Sequence, residues 1–156
     1  MAIRQILVPT DFSAPSRAAL DYAAELARPL DATIDVLHVW EAPVFVPPSL
    51  LPEAGVADLS IIEIYRKNAE ASLEQFVTEA KGRGVPVRAS FAELGPVANT
   101  IAEFARRRAY DLVVIGTHGR TGLAHVVIGS VAERVVRYAP CPVLAVRSVK
   151  APQAAA

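Results

Sequence analysis

Short apolar runs alternate with amphipathic stretches along the whole chain. The runs have the length and the β-branched content of buried strands, and they cover residues 3–9, 33–40, 85–92, 111–115 and 143–147. Between them, apolar residues recur at intervals of three and four, which is typical of helices that cover a sheet. These helices are predicted at residues 14–28, 60–81, 95–107 and from residue 130 onward. Because strands and helices alternate, the connections are crossovers and the sheet is predicted to be parallel.

Local signals indicate where the helices begin. Ser13 stands just before the first helix and has the side chain of a helix cap, and Pro15 is tolerated in the first turn. Ser60 and Glu63 have the spacing of a capping box, so the second helix is predicted to begin at Ser60. The side chains of that helix that we expect to face the core are Ile62, Tyr65, Ala69, Leu73, Phe76 and Ala80.

The chain is predicted to form a single domain over residues 1–148. The fold class is α/β, with a three-layer, open, parallel, five-stranded sheet and helices on both faces. Residues 41–57 contain prolines at positions 43, 47, 48 and 52, which interrupt any regular element and indicate an insertion. Residues 149–156 are expected to form a loose tail.

Composition narrows the class of protein. With 156 residues and 53% hydrophobic side chains, the chain can bury the core of one domain. Its 16 basic and 16 acidic side chains give no net positive field, so neither nucleic acid nor a membrane is an expected partner. The single cysteine excludes an internal disulfide and suits a reducing compartment. The N-terminus has no signal-peptide pattern, and a cytoplasmic protein is therefore expected.

A glycine-punctuated segment follows the fourth strand. It runs from Gly116 to Ser130, and a helix begins at its end. This order directs unpaired N–H groups and the positive end of a helix dipole at one point, where a phosphate can sit. On spacing alone, a plain connecting loop with Ser130 as the helix cap is an equally good interpretation. The segment has neither the Gly-Lys-Ser/Thr ending of P-loops nor a G-x-G-x-x-G motif.

The spacing G-x2-G-x9-G-[ST] in this segment resembles the nucleotide-binding signature of the universal stress protein family. It is carried by Gly116, Gly119, Gly129 and Ser130. Residues 6–13 and 140–146 are similar to the same family, so the resemblance covers nearly the whole chain. It implies an adenine-nucleotide alpha hydrolase-like fold with strand order 3-2-1-4-5. In that order the ligand crevice lies beyond the first and fourth strands.

The resemblance also implies the ligand and the residues that bind it. The ligand is an adenine nucleotide, ATP first, accompanied by Mg2+ that the phosphates, waters and the Ser130 hydroxyl would hold. Pro9 and Thr10 would form the wall on the adenine side, and Val39 would give apolar contact and main-chain hydrogen bonds to the base. Asp11 would contact the ribose. The remaining nucleotide-binding residues implied are Gly116, Gly119, Arg120, Gly129, Ser130 and Val131.

Several of these positions have a second interpretation that stays open. Asp11 is also a suitable cap for the turn that leads to Ser13. Val39 is also an ordinary valine at the end of a strand, and His118 is expected to face water. No histidine has a metal-ligand partner at helical spacing, so a metal site built from protein side chains is not predicted.

No activated nucleophile with a nearby base is recognisable, and the glycine segment has no lysine to neutralise a γ-phosphate. No catalytic residue is therefore predicted, and ATP hydrolysis is expected to be slow at most. The expected function is that of an ATP-binding regulator or protective factor in stress response. One alternative is a structural stress-response dimer or interaction scaffold without nucleotide, and another is an adenylating transferase, for which little chain remains.

The fifth strand predicts a partner. Its apolar residues would form an exposed sheet edge, which proteins must cover, and they are Val143, Leu144, Ala145 and Val146. The resemblance implies that this edge pairs with a second copy to give a homodimer. The sequence does not identify a protein partner.

Overall fold

The structure is a computed structural model that describes residues 2–42, 57–117 and 129–147. Strands and helices alternate in these ranges, as the hydrophobic pattern predicts. The elements are β1 (Gln5–Pro9), α1 (Ala14–Leu30), β2 (Thr33–Trp40), α2 (Ala57–Gly82), β3 (Val87–Leu94), α3 (Val97–Arg107), β4 (Leu112–Gly116), α4 (Ser130–Tyr138) and β5 (Val143–Val146). The strands form one parallel sheet in the order β3-β2-β1-β4-β5. The predicted α/β fold and strand order are confirmed.

The centre of the sheet is β1, which pairs with β2 on one side and β4 on the other. Pro9 is level with Leu37 of β2, and Leu7 is level with Val113 of β4. The chain therefore leaves β1 toward β2 and reaches β4 only after β3. The strand order reverses between β1 and β4, and this is where open parallel sheets leave a crevice beyond the carboxyl ends of the strands.

Helices cover the two faces of the sheet in pairs. Ile6 and Val8 of β1 share a core with α1 and α2, and Leu7 shares the other core with α3 and α4. This follows from the alternation of side chains along a strand. Because β1 is buried on both faces from Ile6 to Pro9, its sequence is apolar over these residues, without the polar alternation of a one-sided sheet. No helix in the described ranges is long and apolar enough to cross a membrane.

The predicted start of the second helix is wrong. α2 begins at Ala57, so Ser60 lies within the helix and cannot cap it. Glu63 instead forms an ion pair with Arg66 one turn later, with an Nη2–Oε1 distance of 2.6 Å. Tyr65, which we expected to face the core, is 45% exposed. From residue 62 on, the buried side chains of α2 are Ala69, Leu73, Phe76, Val77 and Ala80.

The ends of other elements agree with the sequence to within two residues. Ser13 caps α1 as predicted, and its side chain accepts a hydrogen bond from the Ser16 N–H. Ser130 is not a cap, because Gly129 occupies the N-cap position of α4. The predicted tail at residues 149–156 and residues 43–56 of the predicted insertion lie outside the described residues, and the domain limits stay a prediction.

Candidate functional site

A cavity of about 330 Å3 lies at the carboxyl ends of β1 and β4, a size suited to a small-molecule ligand. All the predicted site residues within the described ranges line it, and they are Pro9, Thr10, Asp11, Val39, Gly116, Gly129, Ser130 and Val131. The other two predicted residues, Gly119 and Arg120, lie outside the described residues, as does His118. The structure therefore brings together two motifs that are far apart in the sequence.

Sequence reasoning missed part of the cavity wall. Its apolar members are Leu37, Val97, Ile101, Ile115 and Ala132, and its hydroxyl-bearing members are Ser16 and Thr117. For Leu37 a signal exists, because it lies two residues before Val39 and so shares its face of the sheet. Val97 and Ile101 lie one turn apart on the inner face of α3, but their local pattern does not show that this face reaches the end of the sheet.

The turn after β1 forms one wall of the cavity and is fixed by its own side chains. The Phe12 N–H donates to Thr10 Oγ1 over 3.0 Å, and this hydroxyl also lies 3.0 Å from Ser16 Oγ. Asp11 Oδ1 accepts from the Ser13 N–H (3.1 Å) and from the Ser13 hydroxyl. The capping interpretation of Asp11 is thus realised, although Asp11 also lines the cavity. Phe12 has φ +67°, which is uncommon for a bulky residue.

Val39 lines the cavity, and its main-chain groups point away from β3. The Leu37 carbonyl accepts from the Thr10 N–H (2.8 Å), so the polar groups of Leu37 point toward β1. The Trp40 carbonyl accepts from the Gly95 N–H (3.0 Å), on the β3 side. Because successive residues direct their backbone groups to opposite edges of a strand, those of Val39 point to the β1 side. β1 has ended at this level, and within the described ranges no main-chain group bonds to them.

The first turn of α4 forms another part of the cavity wall. It carries Gly129 and Ser130, the last residues of the glycine motif. The Gly129 N–H donates to the Thr117 carbonyl over 2.5 Å, so these two residues meet at the cavity. Gly129 caps α4 without a side-chain hydrogen bond, and Ser130, Val131 and Ala132 of the first turn line the cavity. The first N–H groups of a helix have no intrahelical acceptor and carry the positive end of its dipole. The cavity can therefore receive an anion here.

Gly116 has a packing role that is independent of any ligand. A Cβ atom at this position would stand 2.8 Å from both the carbonyl carbon and the oxygen of Pro15. Real Cβ atoms do not approach backbone so closely, so only glycine lets the end of β4 lie against the start of α1. This contact brings α1 and its Ser16 to the cavity.

A second polar cluster lies near the amino end of β2, away from the cavity, and sequence reasoning missed it. Asp35 is 1% exposed; its Oδ1 accepts from Arg88 Nε (2.9 Å) and its Oδ2 from the Tyr110 hydroxyl (2.6 Å). Burial, and then the hydrogen bond to Asp35, raise the pKa of Tyr110 above its usual range.

Burial also raises the pKa of the half-buried Cys141 thiol. In the described part of the chain, no three His, Cys, Asp or Glu side chains could hold a metal ion.

The sequence model of the universal stress protein family matches residues 2–147. The chain belongs to this family. A universal stress protein of Methanocaldococcus jannaschii is 37% identical over 147 residues, which cover 94% of this chain and 84% of that protein. The structure of universal stress protein UspA from Lactobacillus plantarum is similar, with a TM-score of 0.78 and 25% identity over 94% of this chain and 99% of that one.

A third similar protein was solved with a ligand. It is a universal stress protein in complex with cAMP, which matches with a TM-score of 0.65 and 24% identity over 96% of this chain and 100% of that one. At this identity the match shows that the two proteins share a fold. The similar structures agree with the five-stranded parallel sheet described above.

Proposed function

We propose that this universal stress protein binds an adenine nucleotide in the cavity beyond β1 and β4, with ATP and Mg2+ as its ligand, and acts as a homodimeric regulator or protective factor in stress response. One observation carries the proposal. Val39, whose N–H and C=O are bonded by no main-chain group of the described residues, and the first turn of α4, whose N-cap Gly129 offers no side-chain hydrogen bond, line the same cavity. The complex of a universal stress protein with cAMP supports an adenine ligand.

The chemistry at Val39 favours adenine over guanine. The N–H and C=O of one residue present a donor and an acceptor side by side, and the edge of adenine presents N1 as an acceptor and the 6-amino group as a donor. Guanine presents a donor and an acceptor in the opposite arrangement, so its polar groups would be left unpaired in the cavity. Leu37, Ile101 and Ile115 supply apolar contact for a base.

The phosphates would lie at the mouth of α4. The N–H groups of its first turn and the helix dipole favour negative charge there. Gly116, Gly129, Ser130 and Val131 line this part of the proposed site, to which Gly119 and Arg120 would add. Mg2+ would be held mainly by phosphates and water, with the Ser130 hydroxyl as a protein ligand.

The turn after β1 would bind the ribose. Pro9 and Thr10 form the rim next to Val39, and Asp11 adds a carboxylate. Asp11 Oδ1 accepts from Ser13, and the carboxylate would also accept a hydrogen bond from a ribose hydroxyl. No lining residue in the described ranges carries a positive charge to stabilise phosphoryl transfer. Hydrolysis is therefore proposed to be slow at most.

β5 would pair with β5 of a second copy. It lies at the edge of the sheet, and its side chains Val143, Leu144, Ala145 and Val146 are each half-buried. An apolar strand edge is a ready template for another chain. Val146 also accepts a hydrogen bond from the Thr117 N–H (2.9 Å), which joins β5 directly to the cavity.

The proposal is tested by titration of nucleotide-free protein with ATP–Mg2+ and with GTP–Mg2+ in a calorimeter. We expect ATP to bind and GTP to bind about tenfold more weakly or worse. The variant Val131→Glu places a carboxylate at the mouth of α4, where it repels phosphates but suits the helix dipole. Val136→Glu is the matched control, because Val136 is an exposed valine of the same helix that does not line the cavity.

The outcomes separate the candidate functions. Loss of ATP binding in Val131→Glu but not in Val136→Glu supports the proposed site. Equal ATP binding by both variants would place the nucleotide elsewhere. Failure of the wild-type chain to bind any adenine nucleotide, with a dimer still present, would favour the structural scaffold.

A further inference from the structure

The hydrogen-bond ladder between β1 and β2 stops one rung early. Its last rung joins the Thr10 N–H to the Leu37 carbonyl over 2.8 Å. In a parallel ladder the next rung would join the Val39 N–H to the Thr10 carbonyl. The Thr10 carbonyl lies instead 2.9 Å from Nδ1 of His38. Because a carbonyl can only accept, Nδ1 carries the proton and donates it.

His38 reaches Thr10 from behind the cavity wall. Leu37 and Val39 line the cavity, and His38 lies between them, so its side chain projects from the opposite face of the sheet. Its ring contacts the Phe12 ring at a centroid distance of 4.3 Å, and Phe12 contacts Phe76 of α2 at 5.6 Å. The imidazole is therefore held in place by aromatic contacts while Nδ1 engages the main chain of the turn.

The conformation of Phe12 contributes to this arrangement. Its φ of +67° turns the chain away from the strand direction directly after Asp11. The Phe12 N–H is bound by Thr10 Oγ1 over 3.0 Å, so the turn is closed on itself. The N–H, Oγ1 and carbonyl of Thr10 are thus hydrogen-bonded to Leu37, Phe12 and His38, respectively. None of them is bonded to Val39.

We propose that His38 is a positioning residue that occupies the Thr10 carbonyl and thereby keeps the Val39 N–H open to the ligand base. The inference rests on the proposed function, because it concerns how that base is received. Without a donor at position 38, the Thr10 carbonyl would accept from Val39, and the ladder would gain its missing rung. The cavity would then lose the donor that pairs with N1 of adenine.

Two variants separate the donor from the ring. His38→Phe keeps an aromatic ring against Phe12 but removes the Nδ1 donor. His38→Asn has an N–H at the same distance from Cβ as Nδ1, so it retains the donor and loses the ring. Thr33→Val is the matched control, because Thr33 Oγ1 makes the equivalent bond from β2 to the Arg4 carbonyl (3.2 Å) at the far end of the strands.

The first measurement is amide hydrogen exchange by NMR on the ligand-free protein. We expect His38→Phe to slow exchange of the Val39 amide about fivefold or more, the effect of one new hydrogen bond. His38→Asn and Thr33→Val should leave that amide at its wild-type rate. A merely structural role for His38 predicts the reverse, faster exchange in His38→Phe. Unchanged or faster exchange of the Val39 amide in this variant overturns the proposal.

The second measurement is the dissociation constant for ATP. His38→Phe should raise it about fivefold or more, and His38→Asn should restore it to within about twofold of wild type. If His38→Asn binds as poorly as His38→Phe, the ring and not the donor matters, and the proposal fails. If the wild-type chain binds no nucleotide, the proposed function fails, and the exchange of the Val39 amide still decides the role of His38.

Discussion

The Tyr110 hydroxyl donates a hydrogen bond of 2.6 Å to the Asp35 carboxylate, and the two residues are only 4% and 1% exposed. Arg88 from β3 binds both oxygens of the same carboxylate, Oδ1 through Nε over 2.9 Å and Oδ2 through Nη2. A buried charge is tolerated only when it is paired and hydrogen-bonded. This cluster therefore fixes β2, β3 and the chain before β4 to one another at the end of the sheet opposite the cavity.

Removal of the Tyr110 hydroxyl should destabilise the fold. In Tyr110→Phe the ring remains, but Asp35 Oδ2 loses one of its two donors and keeps only Arg88 Nη2. Loss of a hydrogen bond to a charged group costs about 1.5–3 kcal/mol. Urea unfolding followed by circular dichroism measures this free energy. Tyr138→Phe is the matched control, because Tyr138 is 49% exposed and should show no change. Equal stability of the two variants would mean that water replaces the phenol at Asp35.

The same residue predicts a pH dependence. Burial first, and then Asp35, raise the pKa of Tyr110 in the folded state above its ordinary value of 10.0. The unfolded chain therefore releases this proton first, and the stability that the neutral phenol contributes is complete below about pH 10 and declines above it. Between pH 9 and 11 (a range set by that ordinary value, about 10), the unfolding free energy of wild type should fall more steeply than that of Tyr110→Phe. Parallel curves would contradict the raised pKa.

The Asp35 cluster shows which structural features a local sequence pattern can predict and which it cannot. A lone carboxylate inside the apolar run of β2 is a visible signal of a buried charge. Its partners Arg88 and Tyr110 follow 53 and 75 residues later on other elements. Their pairing depends on strand order, and the sequence indicates that order only through a family resemblance. A local sequence pattern therefore indicates a buried charge at Asp35, but it does not identify the residues that bind it.

The elements themselves could be predicted because β1, β2 and β4 are buried on both faces and read as apolar runs. One error concerns the start of α2. Ser60 and Glu63 have the spacing of a cap, yet α2 starts earlier, at Ala57. The spacing of a capping box indicates that a helix can begin at a residue, but it does not exclude an earlier start.

The candidate site also contains residues that belong to sequence motifs and residues whose place depends on contacts between distant segments. Thr10 and Gly129 belong to sequence motifs, and both line the cavity. Thr117 and Ser16 line it as well, but their place depends on how β4 lies against α1, a contact between distant segments. The proposed role of Val39 depends on where the hydrogen bonding between β1 and β2 ends, which no local pattern shows.

That contact between β4 and α1 can be tested with Gly116→Ala. The new Cβ would meet the Pro15 backbone at 2.8 Å, and because backbone cannot yield as a flexible side chain does, we expect a loss of about 1–3 kcal/mol in unfolding free energy. Gly82→Ala is the control, since a Cβ there meets nothing within 4 Å. Urea unfolding should show it neutral or slightly stabilised. A neutral Gly116→Ala would show that α1 can move away at little cost.

Asp11→Asn separates the two roles of Asp11. Asparagine keeps an Oδ1 that accepts from Ser13, so the turn and the stability should persist within about 0.5 kcal/mol. It loses the charge that would bind a ribose hydroxyl, and the dissociation constant for ATP should rise about tenfold. Ser13→Ala gives the opposite pattern, with a loss of about 0.5–2 kcal/mol in stability and a smaller change in affinity. Unchanged affinity in Asp11→Asn would leave Asp11 with the capping role alone.

The proposed homodimer predicts a distinct effect of proline in β5. The Pro142 and Val146 carbonyls accept from Val113 and Thr117, so these residues direct their backbone groups toward β4. By alternation along the strand, the N–H of Ala145 points outward from the sheet edge. Ala145→Pro should therefore remove a bond to a second copy while it leaves the pairing with β4 intact, because proline is tolerated on the open side of an edge strand.

Sedimentation velocity at micromolar concentration measures the result. The wild-type chain and the control Ala145→Val should sediment as two chains, and Ala145→Pro should sediment as one. Circular dichroism of Ala145→Pro should match wild type, because the sheet from β3 to β4 does not depend on the outer edge of β5. A dimer that persists in Ala145→Pro would show that the copies meet at another surface, and a monomeric wild type would remove the dimer from the proposed function.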